Sequence, residues 1–241
     1  MIPKIIHYCW FGRGEFPKTI KDCIESWKKI LPEYRIIEWN EDNFDINAYR
    51  FAAEAYKERK FAFTSDVCRL HVLKEMGGIY LDTDVEFLKP LPDSMLDTVA
   101  FTGFEDNHLI STAIMATKKN GKWISDILEH YKDRSFYLPD GSFDINPNTE
   151  IITALMVKNN GLKINNSYQV IEDYCTIYPS EYFSPKSWKT LKTKITENTY
   201  CNHHFTATWL QEEYSLMGKI ANKLLGKRIA NALSGWVRKV R

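Results

Sequence analysis

The chain has 241 residues, 44% hydrophobic and 26% charged, with a formal net charge of +1. This balance excludes an intrinsically disordered chain and gives no global attraction to nucleic acid, and the length suits one elaborated domain or two small ones. The five cysteines, Cys9, Cys23, Cys68, Cys175 and Cys201, form no Cys-x-x-Cys pair, which argues against a disulfide framework or a zinc finger and for a reducing compartment. The N-terminus lacks the basic-then-apolar pattern of a signal peptide, and no apolar run reaches the roughly 18 residues that span a bilayer. A cytoplasmic location is expected.

Residues 3–11 read as a first strand, followed by a Gly12-Arg13-Gly14 loop. Tyr8 and Trp10 lie two apart and share one face of it, where a flat base could stack or where both could simply be core. Pro17 suits a helix start, and Ile20, Ile24, Trp27, Ile30 and Leu31 continue with helical spacing. Residues 34–39 read as a second strand and 47–57 as another helix. The alternation of strand and helix predicts a parallel sheet.

Residues 64–76 read as a third helix, with Gly77 as its left-handed cap. Asp66 and Arg69 fall within its apolar arc. A buried charged pair is either an i,i+3 salt bridge or a pair facing a ligand, and an arginine fork suits phosphate or sugar hydroxyls. Gly77-Gly78 then breaks the chain before the strand Ile79-Tyr80-Leu81, which runs into Asp82 and Asp84. Side chains two apart on a strand point to the same side, so the two carboxylates can converge on one object. Desolvating them is costly unless a hard cation sits between them, and Mg²⁺ and Mn²⁺ complete such a shell with phosphate oxygens.

Residues 99–104 read as the next strand and 109–117 as an extended apolar run. Residues 121–131 are helical, 135–148 loop-like, and 149–158 helical with Thr149 as N-cap. Short strands and turns fill 164–183, and 184–198 is polar and exposed. His203 and His204 stand too close to Cys201 for a zinc cluster, and one imidazole can complete the Asp82/Asp84 site. From Leu216 to Arg241 an apolar stripe is flanked by Lys and Arg with no acidic residue. This is the pattern of a basic amphipathic helix, to be placed on an anionic membrane surface or on protein. The expected division is a domain at 1–214 and this helix at 215–241.

The segments 2–12, 62–69 and 77–84, with the late His203-His204 and Trp209, resemble glycosyltransferase family 32. That family includes Och1-like mannosyltransferases and capsular or lipopolysaccharide enzymes, and its core is similar to the glucosylating domains of large clostridial toxins. The resemblance implies an α/β GT-A fold with a mixed, mostly parallel sheet flanked by helices. It implies a nucleotide-sugar donor, UDP-sugar favoured over GDP-sugar through the Trp10 match, with Mn²⁺ or Mg²⁺. Transfer would retain the anomeric configuration. The acceptor would be a glycan or lipid-linked glycan of surface polysaccharide synthesis, at the inner face of the membrane. Carried over by position, Trp10 stacks on the base with Tyr8 beside it, and Asp66 and Arg69 hold ribose, sugar or diphosphate. Asp82 binds ribose or sugar hydroxyls and supports the metal, Asp84 ligates it, and Trp209 closes over the donor. His204, ahead of His203, is a further metal or diphosphate ligand. The loops at 105–108 and 135–148 are expected to choose the acceptor. Two other classes compete with this one. A haloacid-dehalogenase-like phosphatase also carries Asp-x-Asp after a strand, although Glu86 fits its motif poorly, and a membrane-bound scaffold could be built around the basic tail.

Overall fold

The computed structural model describes residues 1–106, 108–187, 190 and 192–206. Trp209 and the basic tail at 215–241 lie outside the described residues. In chain order the elements are β1 (Ile5–Cys9), α1 (Lys18–Ile30), β2 (Arg35–Trp39), a 3-10 turn (Ile46–Ala48), α2 (Arg50–Lys57), α3 (Phe61–Met76), β3 (Gly78–Leu81) and β4 (Val85–Phe87). They continue as α4 (Asp93–Leu96), β5 (Ala100–Glu105), β6 (Leu109–Ile110), β7 (Ile114–Thr117), α5 (Lys122–Glu129), α6 (Asn148–Asn160), β8 (Gln169–Ile171), β9 (Cys175–Tyr178), α7 (Ser180–Phe183) and β10 (Cys201–His203).

The central sheet has the order β2-β1-β3-β7-β5-β9-β8, with β6 against β5. Strands β2, β1, β3, β5 and β9 run one way, while β7 and β8 are antiparallel to their neighbours. The sheet is therefore mixed and mostly parallel. Side-chain alternation divides the core between its two faces. Ile6, Tyr8, Ile79, Leu81, Ile114 and Ala116 face α1 and its Trp27. Cys9, Tyr80 and Met115 face the other way, toward α2, α3, α5 and α6.

Helix α3 passes behind the middle of the sheet and buries Asp66, Val67, Cys68, Arg69, Leu70, Val72 and Leu73. It ends at Gly77, whose φ of 67° is positive but whose ψ of −169° is extended, so the cap is not the expected left-handed one. Gly78 has φ +105°, and a Cβ there would stand 2.7 Å from the Ile5 carbonyl oxygen. The close approach lets β3 enter beside β1 at full depth. His7 braces this junction. Its Nε2 lies 2.9 Å from the Gly77 carbonyl, and its Nδ1 accepts from Trp39 Nε1 at 3.0 Å. That pair of contacts requires a neutral ring with the proton on Nε2, and burial lowers the His7 pKa to about 4.

Two local expectations are corrected. The apolar run at 109–117 is two strands separated at Ser111-Thr112-Ala113. Helix α6 begins at Asn148 after Pro147, with no side-chain cap from Thr149. Residues 135–147 hold no helix or strand, as expected of a loop, and are closed into a hairpin by one bridge between Tyr137 and Phe143 and tied to α2 through Glu54. The five cysteines are buried and free.

Candidate active site

Strand β3 stops at Leu81, and the backbone turns with Val85 N–H donating to the Asp82 carbonyl at 3.1 Å. Asp82 keeps the alternation of β3, and Tyr80, two residues earlier, donates its hydroxyl to Asp82 Oδ1 at 3.0 Å. Asp84 lies beyond the turn, so the two carboxylates converge through a chain reversal and not along one extended strand. The small sheet of β4 and β10 brings in the third group. His203 stands opposite Val85 in antiparallel register, which places its ring beside Asp84. Ligand atoms of Asp82, Asp84 and His203 lie within 4.8 Å of one another.

His204, the expected metal ligand, turns elsewhere: its Nε2 pairs with Glu86 at 3.0 Å. His203 Nε2 lies 3.3 Å from Asp84 Oδ1, and its Nδ1 is buried without a hydrogen-bond partner. Burial opposes charge on the ring, but Asp84, Asp82 and Glu105 outweigh it and raise its pKa to about 9. Two carboxylates and one imidazole suit Mn²⁺ or Mg²⁺, which fill the remaining positions with phosphate and water oxygens. A divalent cation here would take over the charge balance that the imidazolium provides. The donor set therefore fits the expected metal, with His203 in place of His204.

Behind this trio stands Arg69, 7% exposed at the side chain. Its Nη2 pairs with Asp66 Oδ1 at 2.9 Å, and its Nη1 lies 3.2 Å from Asp82 Oδ1. Nη1 also donates to the Thr112 carbonyl at 2.9 Å, and the guanidinium lies 4.5 Å over the Tyr80 ring. Two carboxylates raise the Arg69 pKa against the opposing effect of burial. Asp66 is pushed up to about 6, mainly by burial and further by Asp82, with Arg69 pulling it down. The i,i+3 salt bridge weighed from sequence is present, and it is linked to the first carboxylate of the Asp-x-Asp motif. The arginine joins α3 to the carboxylate at the end of β3.

The aromatic candidates separate. Tyr8 is buried in the core, edge-on to Trp27, and its hydroxyl donates to Glu38 at 2.8 Å. Its ring is packed in the core, the alternative left open from sequence. Trp10, two residues on, is half-buried, with its ring 4.8 Å from Phe16 and its Nε1 on the Gly14 carbonyl. Trp209 lies outside the described residues.

The sequence placed Glu105 and Asn148 only in loops expected to choose the acceptor, and it gave Thr112 no role. Glu105 ends β5, is 7% exposed, and burial together with Asp82 and Asp106 raises its pKa to about 6 against the pull of His203. Thr112 and Asn148 contact Arg69 and Asp66. The break at Ser111-Thr112 was the available signal for this region, since two polar residues interrupt an apolar run there.

Residues 17–102 match the model of the glycosyltransferase sugar-binding region containing the DXD motif. That segment holds Asp66, Arg69, Asp82 and Asp84. Over that segment the chain is similar to this DXD glycosyltransferase family. It is 27% identical over 133 residues to inositol phosphoceramide mannosyltransferase 3 of Schizosaccharomyces pombe, covering 54% of this chain and 37% of that protein. It is 33% identical over 111 residues to an uncharacterized glycosyltransferase of Acanthamoeba polyphaga mimivirus, covering 44% of each. The chain thus spans less than half the length of these relatives. Among solved structures, the PaToxG glycosyltransferase superposes with a TM-score of 0.50 at 21% identity, over 66% of this chain and 71% of that one. The fold is GT-A. Among the described residues no helix is long and apolar enough to cross a membrane.

Proposed function

We propose that the protein is a divalent-metal-dependent retaining glycosyltransferase that moves a sugar from a nucleotide-sugar to a glycan or lipid-linked acceptor in surface polysaccharide synthesis. The observation that carries the reading is the convergence of Asp82, Asp84 and His203 next to the buried Asp66–Arg69 pair, within the DXD family segment. When bound, Mn²⁺ or Mg²⁺ supplies Lewis-acid stabilisation of charge on the departing diphosphate. Asp84 and His203 would hold it, with Asp82 supporting it and accepting from ribose or sugar hydroxyls. Arg69 is locked by two carboxylates and a carbonyl, so it serves as a fixed positive charge beside the diphosphate rather than a mobile one. Asp66 faces the donor sugar. Trp10, at the end of β1, stacks on the base. No protein nucleophile is assigned, and the acceptor hydroxyl attacks from the face the diphosphate leaves.

UDP is the favoured base through the Trp10 resemblance. The mannosyltransferase similarity supports GDP-mannose as a second reading. A location at the inner face of a membrane, with the basic tail on anionic lipid, completes the proposal. A thermal-shift panel of UDP- and GDP-sugars, each with Mn²⁺ and with chelator, tests it, because a ligand bound only to the folded state raises its melting point. A Mn²⁺-dependent rise with a sugar nucleotide is expected. No rise with any nucleotide, together with phosphate release from an aryl phosphate, would favour a phosphatase instead.

A further inference from the structure

Asn148 is the first residue of α6, and its side chain is buried in the wall behind Asp66. Thr112 Oγ1 donates to its Oδ1 at 3.0 Å, and its Nδ2 donates to Asp66 Oδ1 at 2.7 Å. Arg69 closes the ring through Asp66 Oδ1 at 2.9 Å and the Thr112 carbonyl at 2.9 Å. The amide can face only one way with Asp66 ionised. Reversed, it would set its carbonyl oxygen against the carboxylate.

The Asn148 hydrogen bond and the Arg69 ion pair thus meet the same oxygen of Asp66. Among the described residues no hydrogen bond is made to Oδ2, and the carboxyl keeps 12% of its side chain exposed. Asn148 is itself fixed from outside. The hairpin that precedes it is anchored by Glu54 Oε2, which accepts from Ser135 Oγ and Phe136 N at 2.7 Å each, and by the Arg134–Asp144 pair.

We propose that Asn148 is a positioning residue for the donor sugar: it pins Oδ1 of Asp66 so that Oδ2 is turned to accept from a sugar hydroxyl. The inference rests on the donor-site reading above. Thr112 sets the amide's direction, and the hairpin at 135–147 thereby fixes the geometry of the donor sugar from the side where an acceptor would approach.

The test is calorimetric titration, in Mn²⁺, of UDP and of the sugar nucleotide that most stabilises the wild-type chain among UDP-glucose, UDP-galactose, UDP-N-acetylglucosamine and GDP-mannose. If that donor is GDP-mannose, GDP replaces UDP. Asn148→Ala should weaken the sugar nucleotide about tenfold and leave the bare diphosphate within about twofold, because only the sugar meets Asp66. In an Asp66→Asn background, Asn148→Ala should add less than about twofold, as residues acting through one contact are non-additive. If Asn148→Ala does not fold, Asn148→Asp, of the same shape, takes its place with the same expectation. Equal weakening of both ligands, no weakening, or additivity with Asp66→Asn would overturn the proposal. A wild-type chain that binds no nucleotide would instead overturn the donor-site reading itself.

Discussion

Replacing Arg69 with Met removes a cation that Asp66 and Asp82 share, while keeping most of the side-chain volume. The guanidinium is 7% exposed and makes ionic contacts at 2.9 and 3.2 Å, a carbonyl contact at 2.9 Å and a stacking contact with Tyr80. Breaking a buried ion pair by deleting one partner costs about 3–5 kcal/mol, because the other charge is left without compensation. For a chain of this size each kcal/mol corresponds to about 2–4 °C in melting temperature, so a fall of roughly 6–20 °C is expected. Arg69→Lys should lose less, since it keeps the charge but lacks a fork that reaches both carboxylates and the Thr112 carbonyl. The loss in Arg69→Met should also shrink as pH falls from 8 toward 6, because Asp66, freed from the pull of Arg69, takes up a proton above the value of about 6 that it has in the intact pair. Thermal unfolding in chelator across pH 5–8 measures all three. A melting temperature within 2 °C of wild type at pH 8, or a loss that grows at low pH, would refute the view that Arg69 balances buried carboxylates.

Two further outcomes follow from the geometry. His203→Ala should abolish measurable Mn²⁺ binding by calorimetry, while His204→Ala, which loses only a pair with Glu86, should bind Mn²⁺ within about threefold of wild type; the reverse order would restore His204 as the ligand. His7 is neutral in the fold with a pKa near 4 against 6.5 for a free imidazole. The unfolded chain then binds the extra proton between those values, so the His7 contribution is full above pH 6.5 and is lost as pH falls toward 4, about 3 kcal/mol in all. In His7→Gln the corresponding fall in denaturant midpoint between pH 6.5 and 4.5 should be smaller than in wild type, and an unchanged pH profile would contradict this.

Most of the fold was legible because its signals are local. Pro17 marks the start of α1, Gly77-Gly78 separates α3 from β3, and the alternation of Ile79, Tyr80 and Leu81 assigns two faces to the strand. Asp66, Arg69, Asp82 and Asp84 could be named because a charged pair on a buried helix face and two acids after an apolar strand are costly without a purpose. The choice between His203 and His204 was not legible. It depends on the register of β10 against β4, two short strands more than a hundred residues apart, and a one-residue slip exchanges the side chains that face Asp84. Asn148 was hidden for a similar reason: its partners Asp66 and Thr112 come from α3 and from a break between strands. The sequence left Tyr8 open, because a strand-end aromatic looks the same whether it lines a cleft or packs on a helix such as α1.

The central claim is that Asp84 and its neighbours hold a metal that activates a nucleotide-sugar. The most direct test is release of nucleoside diphosphate from UDP- and GDP-sugars by the purified full chain, with Mn²⁺ or with chelator, in wild type and Asp84→Asn. Slow release from at least one sugar nucleotide is expected, requiring the metal and falling at least about a hundredfold in Asp84→Asn. Release that persists in chelator, or that Asp84→Asn leaves intact, would contradict it.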